Sequence, residues 1–174
     1  LARASALVIG PGLGREPETL ALAAHLAKTS PVPLVVDADA LQPDIVAAGD
    51  APRIVTPHAG EFARIRDAVI SDPKTTVVLK GTITELWQTT TPTYHSFFGG
   101  PVLARGGSGD LLAGLIGGLL AQTPAEPLLA AARGVVWHGL AADHLARTHG
   151  QVAVNITQLL DFLPAALKES AHEQ

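Results

Sequence analysis

The stretch RIVTPHAGEFARI, from Arg53 to Ile65, contains the unit that decides the fold. It begins with a short apolar and β-branched run, turns at Pro57, and continues with the spacing of a starting helix. Short apolar runs that pass directly into a turn are typical of strands buried on both faces of a sheet. The stretch therefore predicts a buried strand that leads through a tight turn into a helix.

The same unit recurs along the chain on both sides of this stretch. Apolar strands are predicted over Ala6–Gly10 and Pro33–Leu41, with helical spacing over Glu16–Lys28 between them. Another strand is predicted over Thr75–Gly81, and the less regular segment Ile83–Gly100 fits a short hairpin and a loop. Strands and helices therefore alternate through the first half of the chain.

The chain becomes helical after the glycine-rich turn that ends at Gly109. Helices are predicted over Gly109–Leu120, Pro127–Arg147 and Asn155–Lys168. We expect the last helix to bury one face, formed by Ile156, Leu159, Leu160 and Leu163. Apolar strands that alternate with helices predict a three-layer α/β/α fold around a mainly parallel sheet.

Two features of the sequence indicate a piece of a larger domain. Residue 1 is Leu, the chain contains no Met, and three or four parallel strands would make a small sheet. The link between Ile65 and Thr75 is short for a crossover between parallel strands, so either the crossover is abbreviated or residues are absent from it. We therefore expect a single domain over residues 1–174 from which N-terminal strands and a link near residues 66–72 are absent.

The composition narrows the class of protein. The net charge of −4 and the scattered Lys and Arg residues argue against binding to nucleic acid or to a membrane surface. The chain has no cysteine, which excludes disulfides and thiolate metal sites and is compatible with the reducing cytoplasm, where we expect the protein. The charged fraction of only 16% and the apolar C-terminal helices lead us to expect a homo-oligomer.

Residues typical of functional sites follow each predicted strand directly. Ligands of open α/β sheets bind at the carboxyl ends of the strands, so we expect these residues to meet at one rim of the sheet. They form the motifs GPGLG (Gly10–Gly14), DAD (Asp37–Asp39), TPHAGE (Thr56–Glu61) and KGT (Lys80–Thr82).

Three of these motifs also have a purely structural interpretation. The Gly10–Gly14 segment either approaches a ligand or forms a strand-to-helix turn. Asp39 is best explained as the cap of a helix that begins at Ala40, whereas Asp37 closes a buried strand and lacks that explanation. Lys80 either reaches an anion or extends its ammonium into water at the rim.

The pair His58 and Glu61 leaves similar alternatives open. Their spacing places them on one face of a helix that starts after Pro57. Glu61 has a structural interpretation as a partner of the helix dipole, and His58 as an ordinary loop histidine. As a pair, they would position a metal-bound phosphate or a polar substrate. No His or Cys cluster in the sequence has the spacing of metal ligands.

The stretch ARGGSGDLLAG, which begins at Ala104, predicts an anion site. Gly106, Gly107 and Gly109 leave backbone N–H groups accessible, and a helix N-terminus adds partial positive charge at the same place. Asp110 is either stabilised there by the helix dipole or serves as a general base for phosphoryl transfer. The absence of GxxxxGK[ST] excludes a Walker loop.

These motifs, in this order, resemble those of the ADP/ATP-dependent NAD(P)H-hydrate dehydratase family, which belongs to the ribokinase-like superfamily. GGSGD alone is shared with many ribokinase-like kinases, whereas TPHxGE together with DADAL and GPGLG is typical of the dehydratases. The resemblance implies that ADP or ATP, with Mg²⁺, phosphorylates the ring hydroxyl of hydrated NADH or NADPH, and that loss of phosphate restores NAD(P)H. It also implies an NAD(P)H-hydrate epimerase as a functional partner.

The resemblance further implies roles for individual residues. Asp110 would be the catalytic base, and Glu61 would organise Mg²⁺ indirectly. The residues that would bind the donor nucleotide are Lys80, Gly81, Thr82, Ile83, Thr84, Gly106, Gly107, Ser108 and Gly109. Those that would bind the hydrated nicotinamide nucleotide are Gly12, Gly14, His58, Glu61 and Asp110.

Two other functions are compatible with part of the sequence. A ribokinase-like kinase of a small vitamin-precursor alcohol would share GGSGD but has no need of TPHxGE combined with DADAL. A nucleotide-binding remnant without catalysis would keep the anion site after losing an N-terminal segment.

Overall fold

One six-stranded sheet organises the computed structural model, which describes residues 3–170. The strands are β1 (Leu7–Ile9), β2 (Leu34–Val36), β3 (Arg53–Val55), β4 (Thr75–Leu79), β5 (Thr84–Trp87) and β6 (Tyr94–Ser96). They lie in the sheet in chain order. The first four strands are parallel, and β5 and β6 add an antiparallel hairpin at one edge. The prediction of a mainly parallel sheet with a hairpin is confirmed.

Residues 3–170 contain six α-helices. They are α1 (Pro17–Thr29), α2 (Pro43–Val46), α3 (Ala59–Val69), α4 (Ser108–Gln122), α5 (Pro127–His149) and α6 (Leu159–Ser170). Proline at the first positions of α1, α2 and α5 suits a helix start, since proline lacks the N–H that would be unbonded there. Short 3₁₀ turns cover Ala38–Ala40, Gly100–Leu103 and Ile156–Gln158.

The two faces of the sheet belong to two separate cores. In β2, Leu34 and Val36 pack with residues of α1, α2 and α3, whereas Val35 packs with residues of α4 and α5. Successive side chains of a strand point to opposite faces, so a strand that is apolar throughout serves both cores. The layers are therefore helix, sheet and helix, as the α/β/α prediction requires.

Two boundaries differ from the predictions. The strand predicted over Pro33–Leu41 ends at Val36, because the chain turns into the 3₁₀ segment Ala38–Ala40. The last helix starts at Leu159, which is buried, while the expected core residue Leu160 is 47% exposed. The expectation for Leu160 is wrong because the buried face of α6 is formed by residues at helical spacing from Leu159, such as Ala166.

The crossover from β3 to β4 is closed by a turn around Asp72. Its carboxylate accepts hydrogen bonds from the Lys74 N–H and the Thr75 hydroxyl, at 3.1 and 2.7 Å. The absence of N-terminal strands and of a link near 66–72 stays a prediction.

Among the helices described within residues 3–170, none has the length and apolar character needed to cross a membrane.

Candidate active site

The four motifs at the strand ends lie side by side. The Asp37 N–H donates to the Ile9 carbonyl at 3.0 Å, which places the start of the DAD motif beside GPGLG. His58 and Lys80 extend the parallel pairing of β3 and β4 by one bridge. Lys80 also donates its N–H to the Pro57 carbonyl at 2.8 Å. The predicted meeting of the motifs at one rim is therefore confirmed.

The GPGLG loop is shaped by its contact with the DAD motif. Gly10 has a φ of +125°, and a Cβ built on it would lie 1.7 Å from the Asp37 carbonyl oxygen. Only glycine fits such a conformation and such a close approach. Further along the loop, the Gly14 N–H donates to Asp39 Oδ2 at 3.1 Å. The glycines thus form a tight turn whose shape depends on its contacts with Asp37 and Asp39.

Asp39 does not cap a helix, so that interpretation is wrong. Its carboxylate accepts from the Gly14 N–H and from Arg15 Nε, the latter at 2.8 Å. The following helix α2 has Gln42 at its N-cap, and the Gln42 side chain makes no capping hydrogen bond. The hydrogen bond from Arg15 is the main cause that lowers the pKa of Asp39 below its ordinary value. Asp39 is therefore a partner of the GPGLG loop.

Asp37 and Lys80 form a partly buried ion pair at the rim. Lys80 Nζ lies 2.8 Å from Asp37 Oδ1, and the Asp37 side chain is 1% exposed. A Cβ built on Gly109 would lie 3.1 Å from Lys80 Nζ and 3.6 Å from Asp37 Oδ2. The pair therefore packs against the first turn of α4, and the Lys80 ammonium does not simply extend into water.

His58 and Glu61 form a reciprocal cap at the start of α3. His58 Nδ1 accepts from the N–H groups of Gly60 and Glu61, at 3.0 and 3.3 Å. In return, Glu61 Oε2 accepts from the His58 N–H at 2.9 Å. This is the arrangement of a capping box, with histidine in the place of serine or threonine. The cap fixes the side chain of His58 at the rim beside Lys80.

The glycine-rich turn opens α4 as predicted. Gly107 precedes the helix with a φ of +87°, and α4 starts at Ser108. The N–H groups of Gly109 and Asp110 donate to no acceptor within residues 3–170, whereas those of Ser108 and Leu111 bond to backbone carbonyls. Two free donors at a helix N-terminus make an anion site.

Asp110 differs from the other carboxylates of the rim. It is exposed in the first turn of α4. Its carboxylate takes part in no hydrogen bond or ion pair with any other residue described between 3 and 170. Asp37, Asp39 and Glu61, by contrast, are all hydrogen-bonded. Asp110 is thus the rim carboxylate with both oxygens available to a ligand.

Ser108 points away from the rim, toward a histidine that sequence reasoning missed. The Ser108 hydroxyl is buried and lies 3.5 Å from Nε2 of His138, which is 4% exposed in α5. The pKa of His138 is lowered to about 4, mainly by burial; a hydrogen bond with the Ser108 backbone opposes this shift, and the charge of Lys80 adds to it. His138 is therefore neutral near pH 7. Because His138 lies among the apolar residues of α5, the sequence did not indicate that it belongs near the site.

The predicted nucleotide-binding residues fall in two places. Gly81, Thr82 and Ile83 form the exposed turn after Lys80, and Thr84 begins β5. Gly106 lines a cleft of about 610 Å³, together with Arg105 and residues 152–156. Arg105 holds the far wall of this cleft through hydrogen bonds to the carbonyls of Gln151 and Val152. Sequence reasoning did not find residues 152–156, which carry no recognisable motif.

Within residues 3–170, no three His, Cys, Asp or Glu side chains are grouped so that they could hold a metal ion. Glu61, the predicted indirect partner of Mg²⁺, is engaged by His58 through both carboxylate oxygens, at 2.9 and 3.5 Å. Magnesium in phosphoryl-transfer sites often has only one or two protein carboxylates, with water and substrate phosphates completing its shell. These residues therefore fit an ion that arrives with a nucleotide.

The fold and the rim define a ribokinase-like α/β/α protein. A solved hydroxyethylthiazole kinase from Pyrococcus horikoshii OT3 superposes with a TM-score of 0.72 over 91% of this chain and 70% of that one. At 20% sequence identity, this likeness shows the fold alone.

The sequence comparison is more specific. A family model described as NAD(P)H-hydrate dehydratase matches residues 1–165, and the chain belongs to this family. The bifunctional NAD(P)H-hydrate repair enzyme Nnr of Moorella thermoacetica is 38% identical over 99% of this chain. Its counterpart in Gloeobacter violaceus is 38% identical over 94% of the chain. The chain spans about a third of these relatives, 36% and 35% of their lengths.

A solved structure of the same family aligns with most of the chain. The ADP/ATP-dependent NAD(P)H-hydrate dehydratase from Bacillus subtilis, co-crystallised with ATP and Mg²⁺, superposes with a TM-score of 0.81. It is 29% identical, and the alignment covers 95% of this chain and 64% of that one.

Proposed function

We propose that the chain carries the phosphoryl-transfer site of an ADP- or ATP-dependent NAD(P)H-hydrate dehydratase. The observation that carries this proposal is the unpaired Asp110 carboxylate at the anion site of α4. Membership of the dehydratase family and the likeness to the Bacillus subtilis enzyme support the same reaction. The substrate is hydrated NADH or NADPH, which carries an extra hydroxyl on its nicotinamide ring.

In this reaction, Asp110 accepts the proton of the ring hydroxyl. The hydroxyl oxygen then bonds to the terminal phosphorus of ADP or ATP, and AMP or ADP leaves with the electrons of the broken P–O bond. The neighbouring ring carbon next loses a proton, the C–O bond breaks, and phosphate departs to leave the double bond of NAD(P)H. Phosphate is a better leaving group than hydroxide, so the nucleotide makes the loss of water feasible.

The anion site supports the charge that develops on the transferred group. The N–H groups of Gly109 and Asp110 are free at the start of α4, and the ammonium of Lys80 packs against the same helix turn. Preorganised donors of this kind stabilise a phosphoryl transition state more than the separated reactants. Because Ser108 is directed inward, its contribution here is the placement of the turn.

We assign the two ligands to opposite sides of Asp110. The cleft lined by Arg105, Gly106 and residues 152–156 has room for a nucleoside, which supports placing the nucleotide there with Lys80–Thr84 at its phosphates. The hydrated nicotinamide nucleotide would contact Gly12, Gly14 and His58, since the GPGLG loop and the start of α3 belong to the same rim.

Mg²⁺ would enter with the nucleotide and reduce the negative charge of its phosphates. Glu61 is the carboxylate of this chain that would meet the ion, through a bound water, since His58 engages both of its oxygens. The protein groups that hold the transferred phosphoryl remain Lys80 and the start of α4.

We further propose a cytoplasmic homo-oligomer that works with an NAD(P)H-hydrate epimerase. The curated relatives are named bifunctional, and the chain spans only part of them. Exposed apolar side chains such as Phe97, at 74%, and Phe98, at 47%, support association between copies. A light-scattering mass equal to one chain would contradict the oligomer.

The function is tested by mixing the purified chain with hydrated NADH, Mg²⁺ and either ADP or ATP, and following the absorbance of NADH. We expect NADH to appear with a nucleotide and not in its absence. Calorimetric binding of ADP without any NADH formation would reject the dehydratase and favour a nucleotide-binding remnant.

A further inference from the structure

The Asp37 carboxylate has no access to a ligand, although it lies next to the anion site. Its side chain is 1% exposed, and Oδ1 is occupied by the Lys80 ammonium at 2.8 Å. An ionised carboxylate is expensive to bury without a partner, so its retention here requires the pairing with Lys80. Any influence of Asp37 on a bound nucleotide must therefore pass through Lys80.

Lys80 occupies a position that is unfavourable for a lone cation. Its ammonium packs against Gly109, in the first turn of α4. The N-terminus of a helix carries partial positive charge, which repels another cation at that place. The Lys80 side chain is 24% exposed, so an unpaired ammonium has a path outward into water. Asp37 supplies the attraction that keeps the ammonium at the helix start.

The pairing leaves Lys80 able to bind an anion. A lysine ammonium has three N–H donors, and Asp37 uses one of them. Among the described residues, Asp37 is the hydrogen-bond partner recorded for Lys80 Nζ. Two donors therefore remain beside the free N–H groups of Gly109 and Asp110.

The glycine at position 109 belongs to the same arrangement. A Cβ there would stand 3.1 Å from Lys80 Nζ, closer than side chains normally pack against each other. The lack of a side chain lets the ammonium and the helix start share one small space. Asp37, Lys80 and Gly109 therefore pack together in one cluster.

We infer that Asp37 is a positioning residue, which holds the Lys80 ammonium against the first turn of α4 so that ammonium and helix N–H groups bind one phosphoryl group. The inference rests on the proposed function for the identity of that group. Asp37 contacts neither nucleotide nor substrate in this account.

A double-mutant cycle on ADP affinity tests the inference. Isothermal titration with ADP and Mg²⁺ would compare the wild-type chain, Asp37→Asn, Lys80→Met and the double variant. We expect Asp37→Asn to weaken ADP binding about 10- to 100-fold, the range of a lost hydrogen bond to a charged group. In the Lys80→Met background, Asp37→Asn should have no further effect, because its action requires Lys80. Equal effects in both backgrounds would overturn the inference.

The chain offers a matched control at the other end of the sheet. Asp50 and Lys74 form an ion pair of nearly the same length, 2.9 Å, before the starts of β3 and β4. Asp50→Asn removes the same charge from another Lys–Asp pair, one whose carboxylate is exposed. Its ADP affinity should equal that of the wild-type chain, which separates the site effect from a change in net charge.

A crystal structure of Asp37→Asn decides the inference without any nucleotide. We expect the Lys80 ammonium to leave Gly109 and turn toward water. An ammonium that keeps its contact with Gly109 in this variant would overturn the positioning role. If the wild-type chain binds no ADP, the proposed function fails, and this structure still shows whether Asp37 places Lys80.

Discussion

The backbone of Gly10 approaches the Asp37 carbonyl so closely that a side chain at position 10 has no room. The Cβ position of Gly10 lies 1.7 Å from the Asp37 oxygen, and the φ of +125° is accessible in practice only to glycine. This contact joins the loop after β1 to the end of β2. It therefore fixes the GPGLG loop, on one side of the rim, to the residue that pairs with Lys80.

This contact predicts that the GPGLG loop tolerates alanine at Gly12 but not at Gly10. Gly10→Ala should destabilise the protein by more than ~3 kcal/mol or prevent folding, because backbone atoms must move apart. Gly12→Ala meets no atom within 4 Å and bears only the strain of a φ of +65°, about 1–2 kcal/mol. Urea unfolding measures both variants. Similar losses of unfolding free energy in the two variants would contradict the close approach of Gly10 to the Asp37 carbonyl.

The cap formed by His58 predicts that the free energy of unfolding depends on whether the side chain at position 58 offers a hydrogen-bond acceptor. His58→Ala leaves the N–H groups of Gly60 and Glu61 without their partner and should cost about 0.5–2 kcal/mol. His58→Asn keeps a short acceptor and should stay close to the wild-type free energy of unfolding. Equal stability of the alanine and wild-type proteins in urea would mean that the cap contributes nothing.

His138 predicts a loss of stability in acid. Its pKa of about 4 in the folded protein lies below the ordinary value of 6.5, so the unfolded chain binds a proton first as pH falls. The stabilisation is complete above pH 6.5 and is lost as pH falls from 6.5 toward 4. Between pH 7.5 and 4.5 this residue should account for about 2–3 kcal/mol.

Urea unfolding across this range, with His138→Gln beside the wild-type chain, measures that contribution. The variant should show a correspondingly weaker dependence on pH. His25→Gln, at an exposed position on α1, is the control for the substitution itself. Parallel curves for His138→Gln and the wild-type chain would contradict the buried neutral histidine.

Asp110→Asn separates catalysis from binding. The amide keeps the shape of the side chain but does not accept the hydroxyl proton, so turnover should fall ~10²–10⁴-fold. Affinity for ADP, measured by calorimetry, should stay within about threefold or improve slightly, since a negative charge beside the phosphates is removed. Unchanged turnover would leave Asp110 as a partner of the helix dipole only.

The fold followed from local patterns in the sequence. Strands buried on both faces are mainly apolar, so β2 and β4 were recognisable without their neighbours, although the strand predicted over Pro33–Leu41 ends at Val36. The meeting of the motifs at one rim followed as well, because parallel strands place their carboxyl ends together. The helix start at α4, with its free N–H groups, was predictable from glycines before a helical pattern.

The partners within the rim were not predictable from local patterns. Asp37 and Lys80 are 43 residues apart, and the sequence does not show which cation a buried carboxylate meets. Asp39 was expected to cap a helix, but it binds Gly14 across the rim, because a carboxylate satisfies a free N–H of a neighbouring loop as readily. His138 had no signal, since an imidazole inside an apolar helix face resembles an ordinary core residue.

Phosphoryl transfer to the ring hydroxyl is tested most directly by following the oxygen of that hydroxyl. Hydrated NADH that carries oxygen-18 at this hydroxyl is incubated with the chain, ADP and Mg²⁺, and the inorganic phosphate is analysed by mass spectrometry. We expect one labelled oxygen in phosphate for each NADH restored, because the hydroxyl oxygen bonds to phosphorus and leaves with it. Unlabelled phosphate, with the label released as water, would contradict phosphoryl transfer at Asp110.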